Sequence, residues 1–264
     1  MACGSIPQSS HRPGSADMSS LTRMLAVFDA FSSEHAVLTA EEIMSTLGYS
    51  RGTAYRYVKE LCDAGFLTRA AGGYALGPRI IQLDYCIRQR DPILMASLPV
   101  MQSLRKRYEC DVLLTVFYED QVVVTHRESG DQELVMSYGR GRVMPLFRGA
   151  GSKVLLACLP PVRQKRLYGA HAAAIAQAGM GESWEAFRAS LAAVRRAGHA
   201  VSFSELDQGN VGVAAPIEQD PLSMPAGLVL VFRTERYEVL DKDGLLQSLK
   251  AGIRQIADPR TAPA

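Results

Sequence analysis

Arg51, Tyr55, Arg56 and Lys59 fall within the short run RGTAYRYVK and form the group most suited to specific chemistry in the chain. A guanidinium donates two parallel hydrogen bonds to a guanine edge, whereas Lys and Tyr suit phosphates or thymine methyls. On a helix advancing about 100° per residue, Gly52, Tyr55, Arg56 and Lys59 gather on one side, with Arg51 in the exposed first turn. Ala54, Tyr57, Val58 and Leu61 gather on the other. Gly52 has no side chain, so the backbone there is free to approach a surface closely. The chemistry implied is reading of a DNA major groove. Thr39, Ser50 and Thr53, at helix starts, and Arg69, further on, complete the candidate DNA-contacting set.

Such a face needs a rigid mount, and the flanking residues supply one. A first helix is expected over Ser20 to Ser32, capped by Ser20 and burying Leu21, Met24, Leu25, Phe28 and Phe31. Thr39 and Glu42 have capping-box spacing for a second helix that buries Ile43, Met44 and Leu47. Gly48 suits the left-handed residue that ends it. Ser50 caps the basic helix, leaving only Gly48-Tyr49 as the turn, so the two helices cross steeply. Phe66 to Arg69 and Tyr74 to Leu76 flank Ala71-Gly72-Gly73 and read as a hairpin that carries Arg69 to a backbone or minor groove. An isolated basic helix would as readily be a solvated surface. A short turn, a one-sided basic face and a glycine hairpin in that order point to a winged helix-turn-helix.

The chain of 264 residues has a net charge of +2, so any nucleic-acid site must be a local concentration of charge. It has length for two medium domains. No run of about 18 apolar residues is present, so no membrane span is expected. Residues 1–18, rich in Ser, Gly and Pro, read as a disordered tail. Five widely spaced cysteines without a Cys-x-x-Cys pair suit neither a disulfide scaffold nor a zinc site, and fit a reducing cytoplasm.

Pro78 to Arg90 reads as a linker helix whose Ile80, Ile81, Leu83 and Ile87 lack a partner inside a small winged helix. A sister chain or the chain's own second domain would cover them. A helix follows over Pro92 to Tyr108. From Asp111 the period changes: Val112 to Tyr118 and Val122 to Thr125 form a hairpin, and Glu133 to Tyr138 adds a strand. Helices are expected over Ser152–Leu159, Pro161–Tyr168 and Ser183–Arg196, then strands over His199–Phe203, Val211–Ile217 and Gly227–Phe232. A last helix spans Asp241–Ala257. The result is an α+β domain with an antiparallel sheet covered mostly on one face.

The chain resembles the IclR family of bacterial transcriptional regulators in three stretches: TAEEIMSTLGYSRGTAYRYVKELCDAGFLTR, MPLFRGAGSKVLLA (144–157) and AGHAVSFSELDQGNVGVAAPI (197–217). The resemblance implies a winged helix-turn-helix over 19–77, a linker helix over 78–91 and a GAF- or profilin-like effector domain over 92–260. It also implies homodimers or tetramers on palindromic double-stranded operators. Effectors of the family are small carboxylic or aromatic compounds, bound between the sheet and the element matching Arg148 to Leu156. By alignment, Ala150 and Gly151 are backbone donors there, and a helix N-terminus receives an anion readily. The polar anchors differ from the family's. Acidic positions are Ser202 and Ser204, with Glu205 retained; Gly212 precedes Val-Ala-Ala-Pro; and serines of small-acid binders match Val229 and Val231. Groups of a small polar ligand would be buried unpaired in such a pocket, so a larger, partly apolar organic acid is expected.

Other signals are weaker. Gly149 to Lys153 has Ser before Lys, against the order of a phosphate loop. His126 reads as a hydrogen-bonded surface residue, and Cys158, among Leu and Ala, as a buried inert thiol. No metal or cofactor is expected. A catabolic enzyme with a helical docking domain is the rival reading, but it lacks a nucleophile-base or metal constellation. A ligand-responsive DNA-binding regulator is the better reading.

Overall fold

The computed structural model describes residues 19–257, except 33, 131–133, 135 and 218–223. The expected tail at 1–18 lies outside the described residues. The chain divides into two compact units that part between Asp91 and Pro92.

The first unit opens with α1 (Ser20–Leu25), capped by Ser19, whose Oγ accepts from the Thr22 N–H at 3.1 Å. The single helix expected to Ser32 instead tightens into a 3-10 segment over Ala26–Ala30. That tightening turns Ala26, Val27 and Phe31 inward and leaves Leu21 and Leu25 exposed. α2 (Ala40–Leu47) has the full capping box. The Thr39 N–H and hydroxyl both donate to Glu42 Oε2, at 2.7 and 2.9 Å, and they hold its carboxyl below the usual range. Gly48 closes α2 at φ 66°, and Ser50 caps α3 (Arg51–Asp63). A hairpin of β2 (Leu67–Ala70) and β3 (Gly73–Leu76) follows, its turn only Ala71-Gly72. β1 (Val37–Leu38) adds a strand on β3 that the sequence did not announce, being too short to show alternation. α4 (Pro78–Arg90) completes the unit.

Left-handed backbone costs a residue with a Cβ about 1–2 kcal/mol. At Gly48 nothing lies within 4 Å of an added Cβ. Gly48→Ala is therefore expected to lose about that amount in chemical denaturation, from backbone strain alone, and Gly48→Asn less.

The second unit holds α5 (Pro92–Tyr108), β4 (Asp111–Tyr118), β5 (Gln121–Glu128), β6 (Val143–Met144), α6 (Ala150–Cys158), α7 (Pro161–Gln177) and α8 (Trp184–Ala197). It continues with β7 (Ala200–Phe203), β8 (Asn210–Ile217), β9 (Ala226–Arg233), α9 (Thr234–Glu238) and α10 (Lys242–Ala257). α7 runs well past Tyr168, broken at His171, where φ is −134°. Among the described residues six strands form one sheet in the order β6-β5-β4-β9-β8-β7, with every pairing antiparallel.

Both faces of this sheet are covered, which corrects the expectation of one. Val112, Leu114, Leu228 and Leu230 pack with Met101 and Leu104 of α5 and Leu249 and Ile253 of α10. Leu113, Val229 and Val231 pack opposite, with Val154 and Leu155 of α6 and Phe187 and Leu191 of α8. The signal was present: β4 and β9 are apolar at consecutive positions, and only a strand buried on both faces tolerates that. The strand expected over Glu133–Tyr138 is not formed at Leu134 or at Met136 to Tyr138, and its remaining positions lie outside the described residues. β6 pairs with β5 instead.

Two side chains are placed contrary to expectation. His126 is buried rather than exposed, with Nε2 bonded to Glu128 Oε1 at 2.9 Å. A register shift between Leu114 and Thr115 sets it opposite Leu114, on the α5 side. Cys158 is exposed at the C-terminal end of α6, because the burying stripe of that helix ends at Ala157. Burial pushes the Cys110 thiol up to about 12, with Asp111 adding to the effect. Alkylation at neutral pH is therefore expected to reach Cys86 and Cys158 and to spare Cys110 until the chain unfolds.

Candidate functional site

The basic helix stands as the sequence demanded. Ala54, Tyr57, Val58 and Leu61 of α3 are buried against Val27, Ile43 and Leu67. Arg51, Gly52, Tyr55, Arg56 and Lys59 are exposed. Removing the buried Leu61 side chain would cost about 2–5 kcal/mol, so the inward stripe anchors the outward one. Tyr49, inside the turn, does more than connect. Its ring meets Tyr57 edge-on at 5.8 Å, its hydroxyl donates to the Arg23 carbonyl at 2.7 Å, and the Arg23 guanidinium lies 4.7 Å over it. This aromatic staple ties the turn to α1 and sets the angle of α3. Nothing local in the sequence marks it.

The candidate hydroxyls all have partners within the chain. Thr39 is engaged with Glu42, and Ser50 Oγ donates to Thr53 Oγ1 at 3.0 Å. Arg56 reaches over the Tyr57 ring at 5.3 Å and Arg51 over Tyr55 at 5.6 Å, which orders both guanidinium groups. Arg69 is exposed on β2, opposite Tyr74 of β3. Lining the exposed face with cations, and burying none of them, suits a polyanion.

The second unit contains a pocket between the start of α6 and the sheet. Ala150, Gly151, Ser202, Glu205, Gly212, Val229 and Val231, the candidate ligand residues, all line it. Leu113, Met136, Tyr138, Met144, Leu206, Asp207 and Asn210 complete the wall. Leu113 and Met144 belong to strands whose inward register only the folded sheet reveals. Asp207 is brought by the β7–β8 loop, where it accepts from the Ser137 N–H at 3.2 Å.

The start of α6 differs from an open anion site. The Ala150 N–H donates to Ser202 Oγ at 3.0 Å, and the Gly149 N–H to Glu205 Oε2 at 2.8 Å. Glu205 also pairs with Lys153 Nζ. Gly149 takes φ 85°, and a Cβ there would meet Leu206 Cδ1 at 2.8 Å. A Cβ on Gly151 would lie 2.9 Å from Val229 Cγ2, so α6 sits directly on the sheet because that position is glycine. The walls are chiefly aliphatic and thioether, with Ser202, Glu205, Asp207 and Asn210 among the polar groups. Among the described residues no group of three or more His, Cys, Asp or Glu could hold a metal ion. No helix among them is long and apolar enough to cross a membrane.

Comparison with known proteins agrees with both units. The model of the IclR helix-turn-helix domain matches residues 20–71, and that of the bacterial transcriptional regulator IclR C-terminal domain matches 87–258. The chain is 25% identical over 227 residues to the HTH-type transcriptional regulator KipR of Bacillus subtilis, covering 83% of this chain and 88% of KipR. It is 27% identical over 244 residues to the glycerol operon regulatory protein of Streptomyces coelicolor, covering 91% and 94%. Among solved structures, an IclR-type regulator from Silicibacter sp. TM1040 superposes with a TM-score of 0.76 at 21% identity, covering 93% of this chain and 100% of that one. An IclR homologue from Microbacterium hydrocarbonoxydans, complexed with 4-hydroxybenzoate, gives 0.71 at 23% identity, covering 90% and 97%. At those identities the structures speak for the fold alone.

Proposed function

The chain belongs to the IclR family of bacterial transcriptional regulators, DNA-binding proteins rather than enzymes, and from that premise we propose that a small-molecule effector controls its hold on an operator. The observation that carries this reading is the exposed cationic face of α3 on a helix-turn-helix whose opposite face is fully buried. Residues 19–77 bind DNA, 78–91 link, and 92–260 bind the effector. Arg51, Tyr55 and Arg56 enter the major groove, while Lys59 and Arg69 engage phosphates, with Thr39, Ser50, Gly52 and Thr53 at the backbone. Two such helices in a homodimer, or in a dimer of dimers, meet half-sites of a palindrome about one helical turn apart. α4 buries none of its residues and exposes Ile81, Tyr85 and Ile87, which supports a sister chain as its cover.

The effector is an aromatic or partly apolar organic acid, and the regulated genes are catabolic. The apolar walls support the first part, as does the 4-hydroxybenzoate bound by the Microbacterium neighbour. An acid entering the pocket exchanges with Glu205 for the donors at the start of α6. It shifts the balance between conformers that differ in the spacing of the recognition helices.

The test is retardation of duplexes from the gene's own upstream region by the full chain across a salt series, with and without candidate acids. Binding that falls steeply with salt and responds to aromatic acids supports the reading. Response to pyruvate-sized acids alone overturns the effector class, and no retardation overturns the operator. Gly212→Val is expected to weaken effector binding at least about tenfold, since its Cβ lies 3.0 Å from Ser202 Oγ and 3.6 Å from Ala150 Cβ. Retardation without effector should be unchanged.

A further inference from the structure

We propose that Glu41 is a specificity-determining positioning residue: its carboxylate holds Tyr55, and with it Arg51, in the geometry that reads DNA. The inference rests on α3 being the reading helix. Glu41 sits in the first turn of α2, next to the Glu42 that closes the capping box. Glu42 is engaged with Thr39, but Glu41 points to the neighbouring helix instead. Its Oε1 accepts from the Tyr55 hydroxyl at 3.2 Å. The Arg51 guanidinium lies 5.6 Å over the same ring. The three side chains therefore form one chain across the two helices, all on the solvent side, with Glu41 at its root.

Two physical consequences follow. Tethering the phenol removes rotamer freedom that Tyr55 and Arg51 would otherwise lose on binding, a gain realised only where both find partners on the bases. The first helix of such a motif crosses the phosphate backbone. A carboxylate in its opening turn therefore opposes every duplex alike, whatever its sequence. Glu41 thus raises the operator-to-random ratio by holding the readers in place, while its charge lowers the affinity for operator and random DNA alike.

The test uses the full chain, the duplex that the wild-type protein selects from a random library, and the unselected pool. Glu41→Gln keeps an acceptor for the Tyr55 hydroxyl and loses the charge. It should bind both DNAs about threefold more tightly, with the ratio unchanged. Glu41→Ala loses both charge and acceptor, and its ratio should fall about tenfold, with random DNA bound as tightly as by Glu41→Gln. Tyr55→Phe should weaken operator binding alone, and adding Glu41→Ala to it should lower the ratio no further. Melting by circular dichroism confirms that each variant is folded; Glu41 is exposed, so none should unfold. Equal ratios for the Ala and Gln variants overturn the proposal, as does a full additional loss in the Tyr55→Phe background. If the wild-type chain selects no duplex, the reading of α3 fails instead, and the two failures are distinct.

Discussion

Asp111→Ala is expected to destabilise the second unit by about 3–5 kcal/mol, which for a unit of this size lowers its melting temperature by on the order of 10 °C. Asp111 opens β4 and is fully buried. Its Oδ2 accepts from Arg127 Nε at 2.7 Å and Nη2 at 2.5 Å, and its Oδ1 accepts from the Gly130 N–H at 2.7 Å. Alanine leaves a partly buried guanidinium and a backbone donor without their acceptor, and the penalty is the desolvation of those groups. Arg127→Ala should cost at least as much, because it strands a buried carboxylate with one backbone donor. Asp111→Asn should cost less, since one oxygen can still accept. Asp111 faces Val231 across the sheet, and Leu113 stands two residues along the same strand; both Val231 and Leu113 line the pocket. Effector response should therefore fail before DNA binding does. A melting temperature within about 2 °C of wild type would show the pair to be a surface contact of small worth.

Arg56→Ala is expected to weaken operator binding by about 1–3 kcal/mol while leaving random DNA nearly unaffected. The side chain projects from the exposed face of α3 and is steadied over the Tyr57 ring, itself buried and fixed. A guanidinium held in this way keeps the planar fork that matches a guanine edge, and Arg56→Lys should restore little because an ammonium cannot bond in that fork. Lys59→Ala supplies the contrast. It should weaken all duplexes about equally and reduce the salt slope by about one. Equal losses for Arg56→Ala on operator and random DNA would make Arg56 a phosphate contact.

How much was legible beforehand varies with the range of the forces involved. The capping box at Thr39 and Glu42, the left-handed Gly48, the Ser50 cap and the inward stripe of α3 are consequences of bonds and periodicities spanning a few residues. They appear in the structure at those positions. α4 begins at Pro78 and ends at Arg90, with Pro at its first position, for the same reason. The first helix was misjudged because apolar spacing cannot tell a 3.6-residue turn from a tighter one once Val27 and Phe31 compete for the core.

The amino-acid order alone determined the helix-turn-helix, the cationic side of α3, the family and the residues that gather about the start of α6. The first two are set by local backbone preference or by side chains a turn apart, whereas the family and the residues about α6 follow from the resemblance of whole stretches to the IclR regulators. Tertiary structure alone decided that helices cover the sheet twice and that Tyr49 staples the turn. It also decided that Glu41 reaches Tyr55 and that Ser202 and Glu205 satisfy the donors at α6. Those contacts join residues far apart in the chain or on different elements, and their energies exist only after the loops between them have closed.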